Sequence, residues 1–131
     1  MPIKEKTYKL TIEGEPVGKA RARVVDGHSY TPAKTKAAEQ NIAWLFLSQY
    51  PGQEVDAESS FELNCNFYVS DYKNGRKRKF DLDNGVKLVM DALTGIVWQD
   101  DNQVNTLLAH RIRVKSLPMT KIQIEIIEDM G

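Results

Sequence analysis

Four aspartates, Asp81, Asp83, Asp100 and Asp101, bracket one short segment of the chain, KFDLDNGVKLVMDALTGIVWQDDNQV. Asp81 and Asp83 lie two apart, where a loop or strand gives way to a helix. On extended backbone both carboxylates then point the same way. Lys87 falls four residues after Asp83 and Asp91 four after Lys87, so these three share one helical stripe. Carboxylates that converge on one point repel each other unless a cation sits among them. Oxygen ligands without His or Cys suit a hard ion such as Mg²⁺ or Mn²⁺. Just upstream runs Arg76, Lys77, Arg78 and Lys79, and residues 73–87 hold six basic and two acidic side chains. A basic run beside an acidic metal cluster suits a polyanionic substrate, with phosphates held by the cations and the metal at the scissile bond.

Blander readings stand beside this one. Asp81 or Asp83 can cap the helix, the Asp83–Lys87–Asp91 series can be a solvated ladder, and the basic run can be an exposed loop. An EF-hand is excluded: counting from Asp81, the fifth, sixth and twelfth positions are Gly85, Val86 and Ala92, not an oxygen ligand, Gly and Glu. His28 sits by a turn and is expected to face solvent. His110 falls on the apolar side of a strand and is expected to be a core histidine. No spacing supports a Ser or Cys nucleophile with a His base. No phosphate-cradling glycine loop is present, so no organic cofactor is expected.

The elements that must carry these residues follow from hydrophobic period. Residues 7–13 alternate, with Tyr8, Leu10 and Ile12 on one side. In GEPVGKARARVVDGHSYTP, Asp26-Gly27 is a tight hairpin signal, and the ribbon carries Lys19, Arg21 and Arg23. Thr31-Pro32 reads as a helix start, with Thr31 capping and Pro32 in the first turn. That helix runs to about Tyr50, stopped by Pro51-Gly52. Its apolar face is expected at Ala38, Ile42, Leu45 and Gln49, widened by Ala37, Trp44 and Leu47. Residues 61–69 alternate with Phe61, Leu63, Cys65, Phe67 and Val69 inward, Cys65 being a small core residue. Residues 73–79 read as a loop. A helix spans about Leu82 to Leu93, burying Leu82, Val86, Val89, Met90 and Leu93. It is roughly 18 Å long. Asp100 and Asp101 reach the first acid pair only if the chain folds back over that length, a return that Gly95–Gln99 with Trp98 as anchor is expected to make. Residues 104–115 alternate, with Val104, Leu108, Ile112 and Val114 sharing a face with Thr106 and His110. Arg111, Arg113 and Lys115 take the other. Ile122, Ile124 and Ile126 form a closing antiparallel strand.

At 131 residues, 41% hydrophobic and 27% charged, the chain is expected to form a single domain over residues 1–131. The fold class is α+β: one small, mixed, largely antiparallel sheet covered by helices. Eighteen basic and eighteen acidic residues cancel, which excludes a uniformly basic DNA coat but not a local basic surface. A single Cys excludes an internal disulfide. No apolar segment is long enough to span a membrane, and the first residues lack a signal-peptide core. A cytoplasmic protein with no membrane partner is expected.

The central segment resembles the RusA family of Holliday junction resolvases. The residues that carry the resemblance are Asp81-Leu82-Asp83-Asn84, Lys87, Asp91-Ala92-Leu93 and Asp100-Asp101-Asn102-Gln103-Val104. GKARAR followed by YTPAKT is similar to the phage-associated branch, which suggests a prophage origin. The resemblance spans about residues 14–126. It implies a homodimeric, Mg²⁺-dependent endodeoxyribonuclease that nicks four-way DNA junctions in recombination and repair. It also implies Asp81, Asp83 and Asp101 as catalytic metal ligands, Asp100 as an additional one, and Lys87 as the catalytic lysine. Lys19, Arg21, Arg23, Lys73, Arg76, Lys77, Arg78 and Lys79 are expected to hold DNA phosphates, which positions the DNA without reading bases. A junction with approximate two-fold symmetry needs two opposed nicks, hence two chains. The other readings are a branched-DNA binder that does not cut and a nuclease for flaps or forks.

Overall fold

The computed structural model describes residues 5–19, 23–30, 32–73, 76–77 and 79–130, the side chains of residues 23–25, 29–30, 72–73 and 76–77 excepted. Its elements run β1 (Glu5–Glu13), β2 (Arg23–Val25), β3 (His28–Tyr30), α1 (Ala33–Gln49), β4 (Ser60–Ser70), β5 (Tyr72–Lys73), β6 (Arg76–Lys77), α2 (Leu82–Leu93), β7 (Val104–Val114) and β8 (Lys121–Asp129). Short 3₁₀ turns at Asp101–Gln103 and Leu117–Met119 precede the last two strands.

Four strands form the main sheet in the order β1-β8-β4-β7. β8 pairs antiparallel with both β1 and β4, and only β4–β7 is parallel. This is the α+β architecture with a mixed sheet that the sequence pattern predicts. The parallel pair is the consequential part: β4, α2 and β7 form a crossover unit, so α2 runs back along the sheet and β7 starts beside the start of β4.

One face of the sheet builds the core. Tyr8, Leu10 and Ile12, then Phe61, Leu63, Cys65, Phe67 and Val69, then Ile122, Ile124 and Ile126 are all buried, as strict alternation requires. Burial pushes the Cys65 thiol up to about 12, which suits a packing residue and not a nucleophile. From α2 come Val86, Leu88, Val89, Ala92 and Leu93, while Leu82 and Met90 are only partly buried. Trp98 is fully buried, edge-on to Phe61 at 5.5 Å, with its indole N–H donating to Thr94 Oγ1 at 3.0 Å.

Several elements differ from the sequence pattern. Pro32 is the residue before α1, which begins at Ala33 without a side-chain cap; Thr31 lies outside the described residues. The buried stripe of α1 is Thr35, Ile42 and Phe46, whereas Trp44 and Leu47 are exposed. The apolar residues cover nearly every face of that helix, so period alone does not select one. The Asp26-Gly27 turn does take positive φ at both residues, 52° and 78°. The basic segment is not an open loop: β5 and β6 pair as a two-stranded ribbon.

On β7 the expected faces are exchanged from Leu107 to Arg113, while Val104 packs against the core and Val114 is buried as expected. A register irregularity opposite Phe61/Glu62 separates Val104 from the residues that follow. Leu107, Ala109, Arg111 and Arg113 align with Leu63, Cys65, Phe67 and Val69 on the helix side, and Leu108, His110 and Ile112 align with Asn64, Asn66 and Tyr68 on the open side. His110 is therefore exposed, lining a groove with Asn66 and Gln123, and is not a core histidine.

The turn into α2 depends on one glycine. A Cβ on Gly85 would stand 2.5 Å from Cζ of Phe80, whose ring packs on Phe67 at 5.1 Å between centroids. Gly85→Ala should therefore destabilise the fold by about 1–3 kcal/mol through displacement of Phe80. Denaturant unfolding checks this, and an unchanged midpoint would refute the packing argument.

Candidate active site

Asp81 and Asp83 sit at the first turn of α2, where the exposed backbone N–H groups and the positive end of the helix dipole favour carboxylates. Asp81 is the N-cap: its Oδ1 accepts from Asn84 N at 3.3 Å and its Oδ2 from Asn84 Nδ2 at 3.1 Å. Asp83 is well exposed, and its Oδ2 lies 3.2 Å from the Lys87 ammonium one turn on. The capping reading and the Asp83–Lys87 rung of the ladder are thus realised, on the same residues that the catalytic reading uses, whereas Asp91 pairs with Lys19.

Two contacts fix the backbone on either side of Asp81–Asn84. The Arg111 guanidinium, reaching from β7, donates to the Phe80 carbonyl at 2.9 Å. From the opposite direction, Lys19 N donates to the Asn84 carbonyl at 2.8 Å. Gly18 permits that approach, since a Cβ there would stand 3.2 Å from Asn84 Cβ.

The Lys19 side chain is not a free cation awaiting phosphate. Its ammonium lies 2.6 Å from Glu39 Oε1 on α1 and 3.1 Å from Asp91 Oδ2 on α2. Hydrogen bonding to Glu39, then to Asp91, outweighs desolvation and raises its pKa. Of the other expected phosphate contacts, Lys79 is exposed. Arg21 and Arg78 lie outside the described residues, as do the side chains of Arg23, Lys73, Arg76 and Lys77.

Asp100 and Asp101 occupy the other end of the sheet. Asp100 caps the 3₁₀ turn, its Oδ1 accepting from Asn102 N at 2.9 Å. Gln103 completes a capping box: its Oε1 accepts from Asp100 N at 3.0 Å and Gln99 N at 2.8 Å. Its Nε2 donates to the carbonyls of Asp56 and Ser59 at 2.7 and 2.9 Å. Asp101 is exposed.

These contacts fix where the acids stand. Gln103 is tied beside the start of β4 and Val104 pairs with Phe61, whereas Phe80 packs on Phe67 and is held by Arg111, which pairs with Phe67. Phe61 and Phe67 are roughly 20 Å apart along a strand, about the length of α2. The expected return of the chain over α2 does not occur. Asp81 and Asp83 share the start of α2, while Asp101 lies at the far end of the same protomer. Consistently, no group of three or more His, Cys, Asp or Glu side chains among the described residues can hold a metal ion. Two exposed carboxylates still fit a hard ion, because Mg²⁺ commonly takes one or two carboxylates and completes its shell with waters and substrate phosphates.

Sequence reasoning missed Arg111 and, though it placed Asn84 and Gln103 in the motif, gave neither a role. Arg111 carried no signal because its partner is a main-chain carbonyl. Gln103 had one, the Asp-x-x-Gln spacing of a capping box at residues 100–103.

A comparison with known proteins identifies the family of this chain. A family model described as Endodeoxyribonuclease RusA matches residues 13–125, and the chain belongs to that family of Holliday junction-resolving nucleases. It is also 30% identical over 114 residues to the uncharacterized protein YqaN of Bacillus subtilis (strain 168), a match covering 73% of this chain and 80% of that protein. Among the described residues, no helix is long and apolar enough to cross a membrane.

Gln103→Ala removes the capping box and both tethers to the Asp56–Ser59 segment. It should cost about 1–3 kcal/mol and leave Asp81 untouched. Equilibrium unfolding measures the loss, and unchanged stability would show that the turn holds without Gln103.

Proposed function

We propose that the chain is a divalent-metal-dependent endonuclease that resolves four-way DNA junctions by paired nicks, and that each active site is completed by a second copy of the chain. The observation that carries this reading is the pair of exposed carboxylates at the head of α2, with Lys87 one turn away, in a chain whose third acid stands at the opposite end of the sheet.

β7 is an edge strand with Leu107 and Leu108 exposed, at 46% and 51%. A free edge carrying apolar side chains on both faces favours pairing with another strand. Antiparallel pairing of two β7 strands about a two-fold axis between Leu107 and Leu108 sets Val104 of the partner subunit opposite Arg111. The partner subunit's Asp101 then arrives at the end of the sheet where Asp81 and Asp83 stand. Isologous contact generates two such sites, matching a substrate with two-fold symmetry.

Asp81, Asp83 and the partner subunit's Asp101 would hold the ion, with Asp100 of the partner subunit beside it. Mg²⁺, or Mn²⁺ in its place, supplies Lewis acidity and an activated water when bound. Arg111 and the Lys19 main chain hold the acid-bearing turn still. Lys87 offers a fixed positive charge to the phosphate at the moment of bond breaking. Lys73, Arg76, Lys77, Arg78 and Lys79, with Arg21 and Arg23, bind the DNA backbone. A cytoplasmic, prophage-borne role in recombination and repair belongs to the same reading. The lack of a three-carboxylate group within one protomer, among the described residues, favours one other reading: a junction-binding protein that does not cut.

Asn is as good a cap as Asp, so Asp81→Asn should keep stability within about 0.5 kcal/mol. It should nevertheless abolish nicking of a synthetic four-way junction in Mg²⁺ while preserving binding in EDTA. Retained Mg²⁺-dependent nicking would refute the assignment. Mixing Asp81→Asn chains with Asp101→Asn chains separates shared from self-contained sites. In a shared site, one of the two centres in each mixed dimer keeps all its acids, and nicking returns. Failure of the mixture to nick, with mixed dimers demonstrated by mass spectrometry, would rule out sharing. Replacing Arg76, Lys77 and Arg78 with Ala should weaken junction binding and flatten its dependence on salt; unchanged affinity would make that ribbon a bystander.

A further inference from the structure

Lys87 stands midway between two aspartates on one helical stripe, Asp83 four residues before it and Asp91 four after, and a lysine so placed can pair with either. Its ammonium is 3.2 Å from Asp83, and its side chain is 59% exposed. Asp91 is already occupied by Lys19, which is only 26% exposed and also bonded to Glu39 at 2.6 Å. The strap that carries Lys19 is itself pinned to α2 through Lys19 N and the Asn84 carbonyl. We propose that Lys19 is a positioning residue: by neutralising Asp91 it keeps the ammonium of Lys87 at the Asp81–Asp83 end of α2.

Helix geometry gives the reason such a device is needed. An acid placed N-terminal to a lysine at this spacing is the better pair, but only by a small margin. That margin disappears once the Asp83 carboxylate turns to another cation. A free Asp91 would then draw Lys87 towards the C-terminal end of the helix, about 6 Å of rise from its own Cα. With Asp91 bound to Lys19, Lys87 is left facing the head of α2. The inference rests on the nuclease reading for its consequence, but the placement of Lys87 can be measured without it.

The test uses full-length Lys19→Met, Lys19→Arg and the double variants Lys19→Met/Asp91→Asn and Lys19→Met/Glu39→Gln. Each double variant removes one of the two acids that Lys19 neutralises, so both relieve charge imbalance. Only the first removes the competitor for Lys87. Lys19→Met should lower single-turnover junction cleavage about twofold, the share of Lys87 that an exposed competitor one turn away can draw off, with junction affinity in EDTA little changed. Lys19→Arg and Lys19→Met/Asp91→Asn should recover the rate, and Lys19→Met/Glu39→Gln should not. Equal recovery by both doubles, or by neither, would overturn the proposal. If Lys19→Met alone fails to fold, the two doubles still carry the comparison. In metal-free protein, Asp91→Asn should shift the Lys87 side-chain nitrogen resonance in the Lys19→Met background but not in the wild type. An identical response in both backgrounds would overturn the inference even if the wild type cut no junction.

Discussion

A parallel pair of strands cannot be joined by a tight turn, and that constraint governs everything else in this fold. The connection from β4 to β7 must travel the length of the sheet, and α2 makes the journey. A helix that returns the chain to the start of the sheet puts whatever precedes it at one end and whatever follows it at the other. Asp81 and Asp83 precede α2, and Asp100 and Asp101 follow it. Their separation is therefore a property of topology, not of side-chain placement, and no rotamer change within a protomer closes it.

The same constraint explains where the sequence was legible. β1, β4 and α2 carry unbroken period-two or period-3.6 patterns that one buried face enforces, and each forms where the pattern puts it. α1 has apolar residues on nearly all sides, so Phe46 and Ile42 are buried and Trp44 is not for reasons that lie in α2 and β1. β7 misleads because it is an edge strand with a register irregularity: Val104 and Ala109 pack against the core, Leu107 on the helix side is exposed, and Leu108 and Ile112 lie on the open face. The motif acids could be read at once, because their types and spacing are local. Their distance could not, because it depends on the direction in which β7 pairs with β4, which no local pattern records. Lys19 is the same lesson in charge: a basic strap suggests phosphate contacts, and only the arrangement of α1 against α2 supplies Glu39 and Asp91.

Much of the polar structure around the candidate site is spent on holding backbone. Arg111 binds the carbonyl of Phe80, Lys19 N the carbonyl of Asn84, and Asp81 the amide of Asn84. Within five residues, main-chain groups on three sides are fixed, and Gly85 lets Phe80 close the base of the turn. A site that must present carboxylates within about half an ångström of a working geometry gains from this arrangement, since the carboxylate tips stay exposed while their backbone is rigid.

Exposure also settles an electrostatic question. In a protomer by itself Asp81, Asp83 and Asp101 face water, the first two helped by the end of a helix, and mutual repulsion is screened or absent. On the proposed reading, repulsion arises only when a second chain delivers its Asp101, so the cost of concentrating negative charge falls on association and not on folding. A divalent ion that binds the assembled acids and not the separated ones then stabilises the dimer by mass action. Metal binding, dimerisation and readiness to cut become one linked equilibrium. A chain that folded its acids together alone would have to be stable with that charge unneutralised; this one is relieved of the requirement by the direction of a single strand.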